Sequence, residues 1–182
     1  KAFLQAAGLA QGSANAQSDD QDARVIPDVW DLHIVGDGPE RGAIEQLIAD
    51  AGSEAASRIQ LLGYKSGEDL QREVGNARFS VLSSEWRENM PYSGLESLAA
   101  QTPIIGARIG GIPELVEEGK TGVTFESGNA VDLSNSMLKC AAVSALNYSA
   151  MQHSCREYVN ARCLQNEYAL ALVDLYERVI QR

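Results

Sequence analysis

The sequence is short of positive charge. Fifteen lysines and arginines stand against 25 acidic residues, which gives a net charge of −10 and a pI near 4.6. That balance lacks the electrostatic footprint of a nucleic-acid binder and the polybasic patch of a membrane-surface protein, so any phosphate must be caught by local geometry. Long apolar runs are also missing. No stretch could span a bilayer, and the N-terminus lacks the charged-then-apolar plan of a signal peptide. Cysteine is scarce: Cys140, Cys155 and Cys163 have no metal-ligand spacing, and an odd number is no disulfide framework, which fits a reducing cytoplasm. No internal repeat is visible. The run Gln11–Asp20 (QGSANAQSDD) lacks aromatic and β-branched residues and cannot bury enough surface to offset its own ordering entropy. It reads as a polar mobile insertion, reaching to about residue 28.

What remains is an ordinary globular chain of 182 residues, 45% hydrophobic and 22% charged, large enough for one good core. A short helix is expected over Phe3, Leu4, Ala7 and Leu9. Strands are expected at Trp30–Val35 and Arg58–Leu62, and helices carrying Ile44, Leu47 and Ile48 and then at Glu68–Gly75. Further on come strands at Pro103–Gly106 and Gly122–Phe125, a short helix at Ile112–Glu117, and helical sequence from Asn129 onward with a break near Ser144. The alternation of strands and helices predicts an α/β fold with a Rossmann-like, doubly wound, mostly parallel sheet. The glycines Gly36, Gly38 and Gly42 fall one residue off a dinucleotide fingerprint, and the strand ending at Gly63 brings no ribose-binding acid. His33 reads as a packed core histidine and His153 as a surface residue, neither having triad or metal spacing.

The chain is organised around Phe79–Val116. The apolar run Phe79–Leu82 predicts a buried strand, a loop holds Glu88, Asn89 and Pro91, and Leu95, Leu98 and Ala99 recur at helical spacing from a start near Pro91 or Tyr92. A helix start at the carboxyl end of such a strand presents free N–H groups to the ligand crevice and suits an anion. Glu88 and Glu96, with seven residues between them, flank that helix start. Carboxylates repel phosphate but accept hydrogen bonds from hydroxyls, so the pair suits a ligand carrying both, such as a sugar nucleotide. A second reading stands beside it: Ser93 and Glu96 form an ordinary Ser-x-x-Glu capping box. Gly110 and Gly111 provide backbone that could approach a ligand closely, with Glu114 nearby either at the site or as a dipole-complementing acid.

The run ENMPYSGLESLAAQTPIIGARIGGIPELVEEGKTGVTFESG, from Glu88 to Gly128, resembles the nucleotide-sugar-binding motif of the retaining GT-B glycosyltransferases of family 4. The match continues through Pro103, Gly110, Gly111, Pro113, Glu114, Thr121 and Gly122. The resemblance implies that Glu88 lies by the donor sugar as the catalytic residue, that Glu96 binds the nucleotide ribose, and that backbone from Asn89 through Met90, Pro91 and Tyr92 to Ser93 holds the phosphates. It also implies a turn beside the donor at Gly36, nucleobase contacts at Tyr64 and Lys65, and a diphosphate contact at Lys1. The chain departs from the family pattern at Ser97, where Ala is usual, and at Gln101, where Gly is usual. A Gln there must bear left-handed strain of about 1 kcal/mol at the helix end.

By this resemblance the whole chain, 1–182, is the C-terminal donor-binding half of a hexosyltransferase-like enzyme of polysaccharide or glycoconjugate biosynthesis. Such enzymes transfer sugar from a nucleotide-diphosphate donor with retention, without a metal or other cofactor. A glycan or lipid-linked acceptor would be held by a missing N-terminal domain, which could make a cytoplasmic protein membrane-peripheral, and the fragment alone would be inactive. The competing reading is a non-catalytic nucleotide-binding or interaction module of the same fold. Family members carry a strand ahead of the point where this chain starts, so the half-domain is expected to lack its first strand. That leaves a gap between the Leu32 and Phe79 strands.

Overall fold

A computed structural model describes residues 30–162 and 165–180. The helix expected over Phe3–Leu9, the polar insertion and Lys1 lie outside these residues. In chain order the elements are β1 (Leu32–Val35), α1 (Arg41–Asp50), α2 (Ser53–Ser57), β2 (Ile59–Gly63), α3 (Gly67–Asn76), β3 (Ser80–Leu82) and α4 (Tyr92–Ala99). They continue with β4 (Ile104–Ala107), α5 (Ile112–Leu115), β5 (Gly122–Phe125), α6 (Ala130–Ala141), α7 (Ala145–Arg162) and α8 (Gln165–Ile180). The one-turn helix α2 was not expected from the sequence. Ser144 is where α6 and α7 part, because its hydroxyl accepts the Asn147 N–H at 3.3 Å and so caps α7.

Every strand pair is parallel. Among the described residues the strands form two sheets, β1 with β2 and β3–β4–β5, and the Leu32 and Phe79 strands do not pair, as the expected gap requires. What joins the two sheets at the strand starts is side chains. Trp30, which precedes β1 rather than beginning it, stacks on Phe79 at 5.7 Å, and Phe79 meets Tyr148 of α7 at the same separation. The Arg78 guanidinium covers both Trp30 and Tyr148.

The core sits in the three-stranded half and shows the period of a strand buried on both faces. Ile104 packs with Leu98, Leu115, Val116, Cys155 and Tyr158 on one face. Its neighbour Ile105 packs with Ala107, Ile112, Phe125 and Cys140 on the other. The β1–β2 half is more thinly covered, and α1 contributes no buried residue. His33 is therefore not a core histidine. It stands exposed on β1, with Nδ1 at 3.2 Å from Glu73 on α3. His153 lies exposed on α7 beside Glu157, as expected.

Candidate functional site

The loop between β3 and α4 is built from behind by a glycine turn. The Gly111 N–H donates to the Glu88 carbonyl at 2.7 Å. A Cβ at Gly111 would stand 2.0 Å from the Asn89 carbonyl oxygen, and one at Gly110, whose φ is +54°, would stand 2.5 Å from the Glu88 oxygen. This corrects the expectation that the pair leaves backbone open to a ligand. Its missing side chains make room for the Glu88–Asn89 backbone instead. Glu114 lies exposed in the first turn of α5, and its carbonyl accepts from Tyr158 Oη at 2.7 Å.

Further hydrogen bonds brace the front of the loop. Ser84 Oγ lies 3.1 Å from Glu88 Oε1 and accepts the Trp86 N–H at 3.2 Å. The Glu88 N–H reaches the Trp86 carbonyl at 3.1 Å, and Ser127 Oγ donates to the Ser84 carbonyl at 3.2 Å. The loop thus ends in an exposed Glu88, an exposed Asn89 and Met90, and a buried Pro91.

Pro91 is the N-cap of α4, and no side chain caps this helix. The capping-box reading of Ser93 and Glu96 is therefore wrong: Ser93 falls inside the first turn, too late to accept from it. In its first turn the Gly94 and Leu95 N–H groups return to the Pro91 carbonyl at 3.0 and 3.3 Å, and those of Tyr92 and Ser93 stand ahead of them on exposed residues. Glu96 is exposed one turn further on. The motif residues from Glu88 to Glu96 are thus brought together on one loop and one helix end.

Gly94 lets that helix lie close to the sheet. A Cβ there would meet Leu115 Cδ1 at 2.5 Å and Leu82 Cδ1 at 3.0 Å. The helix ends as its sequence predicts. Gln101, at φ 60°, is the one non-glycine residue with positive φ among those described. Its N–H and that of Thr102 return to the Leu98 and Ser97 carbonyls, each at 2.9 Å, in a Schellman closure.

The other expected site residues cluster at the exits of β1 and β2. Gly36, at φ 131°, donates its N–H to the Gly63 carbonyl at 2.8 Å, which ties the two exits together. Tyr64 is 79% exposed. Lys65 turns back on the protein, its Nζ 2.6 Å from Glu73 Oε1. That hydrogen bond, followed by the one from His33, holds the Glu73 carboxyl below the ordinary range. Among the described residues no hydrogen bond or ion pair links this cluster to the Glu88 loop. Glu73 and Ser84 went unnoticed in the sequence, since their partners lie on other elements or in a folded turn. No group of three potential metal ligands occurs among the described residues, and no described helix is long and apolar enough to cross a membrane.

Parallel strands, helices on both faces and an open helix start beyond β3 define a Rossmann-like half-domain of the GT-B class, and solved structures agree. The fold superposes on a glycosyltransferase from Rickettsia africae with a TM-score of 0.74 at 18% identity, over 100% of this chain and 45% of that one. Anabaena Alr3699/HepE, solved in complex with UDP and glucose, gives 0.70 at 19% identity over 95% and 44% of the two chains. The family model of the group 1 glycosyl transferases matches residues 19–142, and the chain belongs to that family. Among curated relatives, N-acetyl-alpha-D-glucosaminyl L-malate synthase of Bacillus anthracis is 31% identical over 118 residues, 64% of this chain and 30% of the relative. Sulfoquinovosyl transferase SQD2 of Arabidopsis thaliana is 30% identical over 104 residues, 56% and 19% of the two. The chain spans less than a third of the length of these curated relatives and under half of the two solved structures.

Proposed function

We propose that this chain is the donor-binding half of a retaining glycosyltransferase of family 4, which transfers a hexose-like sugar from a nucleotide-diphosphate donor. The observation that carries the reading is the uncapped start of α4 between two exposed carboxylates. The open N–H groups and dipole end suit the diphosphate, and charge developing on the leaving group would be met there by backbone rather than by a metal. Glu96 suits the ribose hydroxyls and Glu88 the sugar, because each is an exposed acceptor for O–H donors. Gly36 would turn the chain beside the donor, and Tyr64 and Lys65 would meet the nucleobase, Tyr64 by its exposed ring. Lys1 would add charge at the diphosphate. A glycan or lipid-linked acceptor would be presented by a second domain outside this chain, so the chain alone should show no transfer. The relatives and the bound UDP and glucose of the Anabaena protein support the substrate class.

Calorimetry with UDP, GDP and ADP, and turnover with a panel of nucleotide sugars in the presence of a chelator, test this on the full-length protein. Glu96→Gln should weaken nucleotide binding roughly tenfold, as befits a charge-assisted acceptor worth about 1.5–3 kcal/mol. Glu88→Gln should lower turnover while binding of the bare diphosphate stays near normal. Nucleotide binding with no turnover on any donor would instead favour the non-catalytic module. Unchanged affinity in Glu96→Gln would remove the ribose assignment.

A further inference from the structure

The donor-site reading asks Glu88 to stand at a fixed place beside the sugar, yet Glu88 lies on an exposed loop. A long acidic side chain in such a loop would sample many rotamers unless something holds it. Two features hold it, one for the backbone and one for the carboxylate. On the backbone side, Gly111 N–H grips the Glu88 carbonyl at 2.7 Å, and the space where Cβ atoms of residues 110 and 111 would sit is filled by the Glu88 and Asn89 backbone. On the carboxylate side, Ser84 Oγ has one proton and two acceptors in reach, Glu88 Oε1 at 3.1 Å and the Trp86 carbonyl at 3.3 Å. The carboxylate is the nearer and the charged one, so it takes the proton, while the Trp86 N–H occupies the hydroxyl's lone pair at 3.2 Å. Ser84 is itself held, because Ser127 Oγ donates to its carbonyl.

We propose that Ser84 and the Gly110–Gly111 turn are positioning residues for Glu88: the turn fixes where the residue is, and Ser84 fixes which way its carboxylate faces. The proposal rests on the reading of Glu88 as the residue beside the donor sugar. Neither element need touch nucleotide, so their loss should act on turnover and spare diphosphate binding. A misplacement of about 1 Å at a reacting centre can cost roughly a hundredfold in rate. A Cβ at Gly111 forces a shift of that order, since it would stand 2.0 Å from a backbone oxygen.

The test compares Glu88→Gln, Ser84→Ala, Ser84→Thr and Gly111→Ala in the full-length protein, reading kcat and KM with the preferred nucleotide sugar and Kd for bare UDP. Ser84→Ala should lower kcat about tenfold with the UDP Kd within about twofold, and Ser84→Thr, which keeps the hydroxyl, should restore most of the rate. Gly111→Ala should lower kcat by about a hundredfold; if it does not fold, the Ser84 pair decides. Full kcat in Ser84→Ala, alongside an impaired Glu88→Gln, overturns the positioning role and leaves the donor site standing. Equal losses of kcat and UDP affinity in Ser84→Ala also overturn it, since that is what a merely structural hydroxyl would do. Full turnover in Glu88→Gln removes the donor-site reading itself.

Discussion

Two residues depart from the motif that the sequence resembles, and each has a physical consequence. Gln101 carries a backbone at φ 60°, where a side chain crowds the neighbouring carbonyl and a glycine does not. Gln101→Gly should relieve about 1 kcal/mol of strain, partly offset by the extra freedom of glycine in the unfolded chain, for a net gain of at most about 0.5 kcal/mol. The urea midpoint should rise with an unchanged slope; no rise would mean that the Schellman bonds already absorb the strain. Ser97, the other departure, is fully buried. Its Oγ lies 2.8 Å from the Thr102 carbonyl and 2.7 Å from Ser80 Oγ. A carbonyl can only accept, so the one Ser97 proton goes there and Ser80 donates to Ser97. Thr102 Oγ1 then donates to the Val74 carbonyl at 2.8 Å, so β3, the end of α4 and α3 are joined by three hydroxyls. The extra oxygen is thus paired, as a buried polar atom must be.

Elements in this chain hold one another mainly at their ends. Asn129 caps α6 by accepting from Val131 and Asp132 N–H, and Asp132 in turn accepts the Glu126 N–H at 2.7 Å and Arg108 Nη2 at 3.0 Å. The β4 exit, the β5 exit and α6 therefore share one carboxylate. The Glu126 N–H first, and Arg108 after it, hold its pKa below the ordinary value. A depressed native pKa gives stability that is complete above the unfolded value of about 3.9 and is lost as pH falls through the native one. Asp132→Asn should accordingly lose about 1 kcal/mol at neutral pH, no more, because solvent screens a group a third exposed. Urea midpoints taken stepwise into acid should show the two proteins converging below the ordinary carboxylate range; a gap that persists there would assign the effect to packing. Elements of this kind were legible where apolar residues repeat with one period, as at β3, α4 and β5. Their ends were less so. The capping box failed because Pro91 took the cap, and Gly111 was misread because the oxygen that needs its bare Cα comes from 22 residues upstream. The Glu88-to-Glu96 pattern was local and could be read; its scaffolding is tertiary and could not.

At the scale of the molecule, the described residues form two parallel sheets with a seam. Among the described residues no backbone hydrogen bond joins β1 to β3, so cooperation between the halves rests on side chains. One such contact is the stack of Trp30 on Phe79, with Arg78 lying over Trp30 and Tyr148. Arg78 also donates to the Val143 carbonyl at 2.8 Å, which ties the seam to the α6–α7 turn. Among the described residues the three-stranded half holds the fully buried side chains, whereas β1, β2 and α1 contribute none. Trp30→Ala should therefore cost about 2 kcal/mol, less than a fully buried Trp because Trp30 is only half-buried. The loss should fall unevenly. Amide hydrogen exchange should quicken in Leu32–Val35 and Ile59–Gly63 by more than in Ile104–Ala107. The Glu88 loop rests on the three-stranded half, so the substitution should disturb it less than the exits of β1 and β2. If protection falls equally in all three strands, the two sheets unfold as one unit and the seam is not where this protein opens.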